Sequence, residues 1–292
     1  MWQRISKEIS ATTGETFHAR TGRPVGGGCI NAAYLVEDGA RRFLVKINQA
    51  SNLAMFEAEA EGLNEISATR TIRAPAPICT GLALDSAFLV LEFIDLYSRE
   101  KGGEELLGRQ LADMHRVTST QHGWHRDNTI GATLQINTVT DNWLEFWRDR
   151  RLAPQLALAA RNGHNGRLQH QAEHLMARLD EFLAGHNPPP SLLHGDLWSG
   201  NRACSHSGEP VIFDPAVYYG DRETDLAMTE LFGGFSATFY AAYREAFPLD
   251  PGYSVRKTLY NLYHVLNHLN LFGGGYSAQA ESMIEKLLSE TA

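Results

Sequence analysis

The chain has 292 residues, 43% of them hydrophobic, and a formal net charge of −8. That is enough apolar material for one large or two modest cores, and the acidic balance speaks against a nucleic-acid partner. No apolar run reaches the roughly 18–20 residues that span a bilayer. The opening MWQRISKEISATTG holds no apolar signal segment, and three cysteines without metal-ligand spacing (Cys29, Cys79, Cys204) suit a reduced, cytoplasmic setting.

Residues 1–15 read as a short helix. From Phe17 to Asn48 the texture is β-like, in the runs HARTGRPV, NAAYLVED and RRFLVKIN. Gly26, Gly27 and Gly28 separate the first two runs, and Asp38-Gly39 marks a hairpin between the second and third. Glycines between strands let a backbone approach phosphates and point N–H groups at them. Gly26, Gly27, Gly28, Cys29, Ile30 and Asn31 are therefore the candidate phosphate loop, although three glycines also suit a plain turn. Cys29 reads equally as a small residue in a tight turn or as a thiol made acidic by the amides around it. Lys46, in FLVKIN, could hold the α- and β-phosphates of a nucleotide; alone, it would read as a lysine on an exposed strand. LAMFEAEAEGLNEI has helical spacing, with Leu53, Phe56, Ala60, Leu63 and Ile66 on one side. Of its glutamates, Glu57 and Glu61 share a face. Glu59 precedes Leu63 by four residues and is the expected partner of Lys46. After the Pro75-Ala76-Pro77 turn, LALDSAFLVLEFID reads as two strands joined at Asp85-Ser86. Where the second opens into a linker near residues 92–100, the backbone of Glu92, Phe93 and Ile94 is the expected adenine contact.

From Gly102 onward the pattern is mainly helical: ELLGRQLADMHR, DNWLEFWRDRRLAPQLALAAR and RLQHQAEHLMARLDEFLAG, broken by Asn187-Pro188-Pro189-Pro190. Further helices are expected over ETDLAMTELF, SATFYAAYREAF, VRKTLYNLYHVLNHLNLF and AQAESMIEKLLSE. Trp143, Phe146 and Trp147 read as helix core and not as a sugar platform. His264 and His268 share a face but lack the glutamate of HExxH, which speaks against zinc. Tyr260, Tyr263, Asn267 and Asn270 are candidates for lining an acceptor pocket.

The most informative stretch is HGDLWSGN at 194–201 followed by IFDP at 212–215. Phosphoryl transfer needs a carboxylate to orient the acceptor hydroxyl, and an amide oxygen with a second carboxylate to hold magnesium against the phosphates. Asp196, Asn201 and Asp214 occur in that order. The step of five from Asp196 to Asn201 matches the Asp-to-Asn step of the protein-kinase signature, with HGD in place of HRD. Asp196 is the candidate catalytic residue, Asn201 and Asp214 the candidate magnesium ligands. Trp198, inside the same loop, is the candidate substrate contact. His194 is expected to support the loop by hydrogen bonding, and Asp225 to cap its backbone amides. The implied architecture is α+β and bilobal, on the protein-kinase-like plan. An antiparallel β-sheet lobe with one main helix covers residues 1–95, and a helical lobe with catalytic loop and acceptor site covers 96–292.

With these residues in view, the chain resembles the fructosamine kinase (ketosamine-3-kinase) family, a branch of the kinase-like superfamily that also holds aminoglycoside phosphotransferases and choline kinases. The resemblance is carried by GGGCINAAYLV at 26–36, FLVKIN at 43–48, MFEAEAEGL at 55–63, LVLEFID at 89–95, LGRQLADMHR at 107–116, GWHRDNTIG at 123–131, NWLEFWRDRRLAPQL at 142–156, SLLHGDLWSGN at 191–201 and VIFDPAVYYGDRETDLAM at 211–228. HGDLWSGN, GW…DNTIG and YGDRETDLAM are particular to that family; the wider superfamily shares only HGDxxxxN…D. The resemblance implies use of ATP and Mg2+ to phosphorylate the sugar 3-hydroxyl of a ketoamine, free or on a glycated lysine. The unstable product then falls apart, which is deglycation repair. Bacterial-type members tend to prefer ribulosamines or erythrulosamines to fructosamines. Members with a cysteine at the Cys29 position are linked to redox-sensitive dimers, so a monomer or a redox-dependent dimer is implied. Asp214 is followed by Pro-Ala and not Phe-Gly, and no APE segment follows, which argues against a regulated protein kinase. The alternatives are a related small-molecule kinase of the aminoglycoside or choline type, and a nucleotide-binding pseudokinase. The presence of Lys46, Asp196, Asn201 and Asp214 together argues against the pseudokinase.

Overall fold

A computed structural model describes residues 1–26, 30–97 and 103–290. In chain order the elements are α1 (Trp2–Thr13), β1 (Arg23–Val25), β2 (Ala32–Asp38), β3 (Arg41–Gln49), α2 (Leu53–Thr69), β4 (Pro77–Ala83), β5 (Ser86–Glu92), β6 (Leu96–Tyr97), α3 (Gly103–His115), β7 (Asn128–Ile130), β8 (Thr133–Gln135) and α4 (Trp143–Phe146). A π-helical turn (Trp147–Leu152) leads into α5 (Ala153–Arg161), α6 (Arg167–Ala177), α7 (Leu179–Leu183), β9 (Ser191–Leu193), β10 (Arg202–Ser205), β11 (Pro210–Ile212) and β12 (Tyr218–Gly220). The chain ends in α8 (Glu223–Leu231), α9 (Ala237–Ala246), α10 (Tyr253–Phe272) and α11 (Tyr276–Glu290). No described helix is long and apolar enough to cross a membrane.

Two compact units emerge. The first joins Met1–Gly103 to Arg202–Pro215; the second joins Glu104–Asn201 to Ala216–Ala292. In the first unit an antiparallel sheet runs β1-β2-β3-β5-β4. Its core gathers Ile5 and Ile9 of α1 and Phe17 of the loop after it with Val36, Val45, Phe88 and Val90 of the strands. Gly14, in the left-handed conformation at φ 74°, closes α1 by donating to the Ser10 carbonyl. The expected strand over HARTGRPV shrinks to Arg23–Val25. The reason is local: the N–H groups of Phe17, His18 and Ala19 donate to the side chains of Ser10, Asp38 and Ser6 instead of to a neighbouring strand. The β10–β11 hairpin belongs to this unit through pairing of β10 with β6 and an Arg73–Val211 bridge.

In the second unit α10 is buried along most of its length and packs on α8, α11 and α5. The long helix expected over 141–161 is interrupted by the π turn, and the one over 167–185 divides at Arg178. Helix starts follow the side chains available: Asn142 accepts from the N–H of Glu145, and Ser236 from that of Phe239. Tyr260, Tyr263 and Asn267 are buried in the interior, and Asn270 is half-buried. Tyr260 donates to Asp221 (2.5 Å) and accepts from Trp143, Tyr263 donates to Gln135 (2.8 Å), and Asn267 and Asn270 bond to Gln155. Trp143, Phe146 and Trp147 are buried core, as their spacing suggests.

The same interior holds a charged cluster. His186 bonds Asp221 (2.6 Å) and approaches Asp250 (3.4 Å), while Arg256 forks onto Glu223 at 2.7 and 2.9 Å. Burial opposes charge on His186, but the hydrogen bond and charge of Asp221 outweigh it and raise its pKa above the usual 6.5. A raised folded pKa gives stability that is full below the unfolded value and is lost as pH rises through the folded one. His186→Asn should therefore cost most in acid, and the gap to wild type should narrow as pH rises. Urea midpoints measured from about pH 5 to about pH 9 test this; a pH-independent gap would remove His186 from the cluster's charge balance.

Candidate active site

In the first unit, strand β3 brings Lys46 opposite Ala33 on β2 and Leu89 on β5. Its ammonium lies 2.5 Å from a Glu59 oxygen on α2 and 2.5 Å from an oxygen of Asp214. Neither Glu57 nor Glu61 bonds this ammonium. Burial opposes the charge of Lys46, yet the two carboxylates outweigh it and push its pKa up. Burial and the negative charge of Asp214 raise Glu59, against the pull of Lys46. Two carboxylates thus share one cation, leaving net negative charge on a group of hard oxygen donors. Asp214 stands just past β11 at φ 58°, a conformation costly for a residue with a Cβ, and it precedes Pro215. Its side chain is 41% exposed, so it can still meet a cation from solvent.

Asn48, which the sequence reading passed over, donates to Asn31 (2.6 Å) and to the carbonyl of Ile30 (3.3 Å) and so anchors Ile30 and Asn31 to β3. Gly26 directly follows β1. Gly27, Gly28 and Cys29 lie outside the described residues. The sheet ladder ends at Glu92, which faces Phe43. Glu92 exchanges backbone and side-chain bonds with Ala76 (2.8 and 3.2 Å) and its carboxylate also pairs with Arg73. Phe93 and Ile94 follow beyond the last paired residue, with Phe93 under the Arg42 guanidinium at 4.9 Å.

In the second unit, β9 pairs with β12 and delivers the chain into His194-Gly195-Asp196. The buried carboxylate of Asp225 accepts from the N–H groups of His194 (2.7 Å) and Gly195 (2.8 Å), and bonds the ring of His115 (3.2 Å). Burial would raise the pKa of Asp225, but the His115 bond and neighbouring charge lower it. The ring of His194 accepts from the N–H of Asp196 (3.2 Å), and its carbonyl accepts from Ala216 (2.8 Å). Gly195 sits at φ 81°, and a Cβ there would run into the Ala216 carbonyl. Asn201 spends its amide nitrogen on the carbonyl (2.9 Å) and carboxylate (3.2 Å) of Asp196, which leaves its amide oxygen as a donor for a cation. Trp198 is 37% exposed, lies edge-on to Phe232 at 6.3 Å, and folds over Gly200, where any Cβ would collide with the indole.

His115 was not singled out from the sequence, because a histidine ending an amphipathic helix carries no spacing signal. Asn128 and Gln135 were also missed. They donate to the carbonyls of Val217 (2.8 Å) and Ala216 (3.1 Å), on the return side of the same loop.

Gly195→Ala should lose about 1–3 kcal/mol of stability, since left-handed backbone and steric overlap add, and should lose nearly all ATP-dependent activity. Urea unfolding and steady-state turnover measure the two losses. Wild-type turnover in the variant would show that the tight turn is not required.

The chain matches the family model for fructosamine kinase over residues 1–290. It is 50% identical over 288 residues to a provisionally named ketoamine kinase of Synechocystis sp., covering 98% of this chain and 97% of that one. It is 44% identical over 267 residues to the chloroplastic protein-ribulosamine 3-kinase of Arabidopsis thaliana, covering 90% and 81%. A solved structure from Haemophilus somnus, provisionally named a fructosamine-3-kinase, has a TM-score of 0.91 at 28% identity, covering 99% of this chain and 98% of that one. Aminoglycoside phosphotransferase APH(4)-Ia, at 14% identity and a TM-score of 0.61 over 100% of both chains, shares the fold alone. The fold is α+β and protein-kinase-like, and the match over almost every residue makes the chain a member of the fructosamine kinase family.

Proposed function

We propose that this protein is a kinase that transfers the γ-phosphoryl group of ATP to the sugar 3-hydroxyl of a ketosamine, a ribulosamine, erythrulosamine or fructosamine adduct of an amine or of a protein lysine. The observation that carries the reading is the 44% identity, over 267 residues, to a plant enzyme named for that reaction. The geometry within each unit supports it. Asp196, held by Asn201, is the carboxylate that orients the attacking hydroxyl and receives its proton as the new O–P bond forms and the bond to ADP breaks. Lys46, braced by Glu59, balances charge on the phosphates. Positioning and electrostatics suffice, and no covalent intermediate is needed. The oxygen donors of Asn201 and Asp214 suit magnesium, which when bound neutralises phosphate charge. The role of Trp198 is to present its exposed indole to the acceptor beside Asp196.

Two experiments test this reading. Ribulose-lysine and fructose-lysine should be phosphorylated far faster than kanamycin or choline, with the phosphate on the 3-oxygen by phosphorus NMR. Preference for kanamycin or choline would move the protein to a sibling kinase class, and no ATP turnover with any acceptor would favour a pseudokinase. Asp196→Asn should lower kcat by several orders of magnitude and leave Mg·ATP binding nearly intact, as for an interaction made mainly in the transition state. Asp214→Asn should weaken magnesium-dependent ATP binding itself. Calorimetric titration with and without magnesium separates the two, and the opposite pattern would exchange the roles.

A further inference from the structure

Arg151 is fully buried, at 0% exposure. A guanidinium keeps its charge at any working pH, and a buried charge is normally paired. Among the described residues no carboxylate pairs with it. Its Nη1 donates to the carbonyls of Ile136 (2.6 Å) and Arg150 (3.0 Å), its Nη2 to Asn137 Oδ1 (2.8 Å), and its Nε has no partner. The charge is met instead by rings: Tyr218 at 4.0 Å, Phe146 at 4.5 Å and Tyr263 at 5.8 Å. Arg151 is borne on the π-helical turn Trp147–Leu152, a rare irregularity that is frequent at functional sites.

Three routes from this cation reach backbone that leads into or bonds His194, two residues before Asp196. Tyr218 pairs in register with Leu193, the residue before His194. Asn137 donates to Asn128 (2.9 Å), Asn128 holds the carbonyl of Val217, and Gln135, bonded to Tyr263, holds that of Ala216. Ala216 in turn donates to the carbonyl of His194. The Tyr263 hydroxyl also feels the opposing charges of Arg151 and Asp196.

We propose that Arg151 is a positioning residue of the phosphoryl-transfer reaction: its buried cation, clamped between Tyr218 and the Asn137–Asn128–Gln135 amides, fixes the catalytic loop that presents Asp196. The proposal rests on the kinase reading above. An arginine that merely filled space would be replaceable by an apolar chain of similar length. One whose charge anchors the loop would not be, and lysine would rescue it in part.

The test compares full-length wild type with Arg151→Met and Arg151→Lys, with folding checked by near-UV circular dichroism. Arg151→Met should lower kcat at least about tenfold and leave KM for ATP within about twofold, because the loop and not the nucleotide site is disturbed. Arg151→Lys should recover several-fold of that loss. Equal kcat in the two variants, or a raised KM with unchanged kcat, overturns the proposal. Should Arg151→Met fold too poorly to assay, Arg151→Gln replaces it, and kcat for Lys no higher than for Gln overturns the proposal equally. If wild type turns over no ketosamine, the substrate reading fails on its own, and the same comparison is then made on magnesium-dependent hydrolysis of ATP by water.

Discussion

One ammonium shared by two carboxylates organises the first unit. Lys46 reaches Glu59 across 13 residues of sequence and Asp214 across 168, so a strand, a helix and a distant hairpin meet at one nitrogen. Buried charge is tolerated only when satisfied, which constrains all three elements. Strand β3 must alternate so that Lys46 leaves the apolar core, α2 must present Glu59 on the facing side, and the chain after β11 must adopt the left-handed turn at Asp214. The arrangement carries more negative than positive charge, the condition in which a bound cation is welcome.

The second unit applies the same rule to backbone instead of side chain. Asp225 satisfies two consecutive N–H groups of the catalytic loop and is itself held by His115, whose other ring nitrogen bonds Tyr243 (2.8 Å). Asn201 donates its amide to the carbonyl and the carboxylate of Asp196. These groups are fixed before any substrate arrives, and preorganisation of this kind keeps reorganisation out of the reaction barrier. The bonds made by Ala216, Val217 and Tyr218 complete the support from the opposite side.

Sequence spacing reveals what the chemistry dictates locally. HGDLWSGN…IFDP is legible because its residue types and spacing match the protein-kinase signature, and Glu59 stands out from two neighbouring glutamates because it falls four residues before a buried leucine. The runs that become β2, β3 and β5 are legible as short apolar segments bounded by turn residues, β5 being buried without a break from Ala87 to Leu91. Contacts between residues far apart are not. A helical wheel does not show the partners of Tyr260 and Tyr263, because Asp221 and Gln135 lie 39 and 128 residues away. Residues 17–22 look like a strand because nothing in the sequence announces that side chains will take their amides. The π turn is invisible to a 3.6-residue period, since one extra residue only shifts the apolar stripe.

The assignment of Arg202–Pro215 to the first unit bears on how the chain is assembled during synthesis. A ribosome completes the sheet, α1 and α2 about a hundred residues before it emits β10, β11 and Asp214. Until then Lys46 has Glu59 alone, and β6 lacks its partner strand. The second unit's first stretch, Glu104–Asn201, must be extruded in the interval, so the first unit matures only after part of the second has left the tunnel. Long-range closure of this kind is slow compared with local helix formation. The nascent protein therefore passes through a stage in which Lys46 and Glu59 have been made and Asp214 has not.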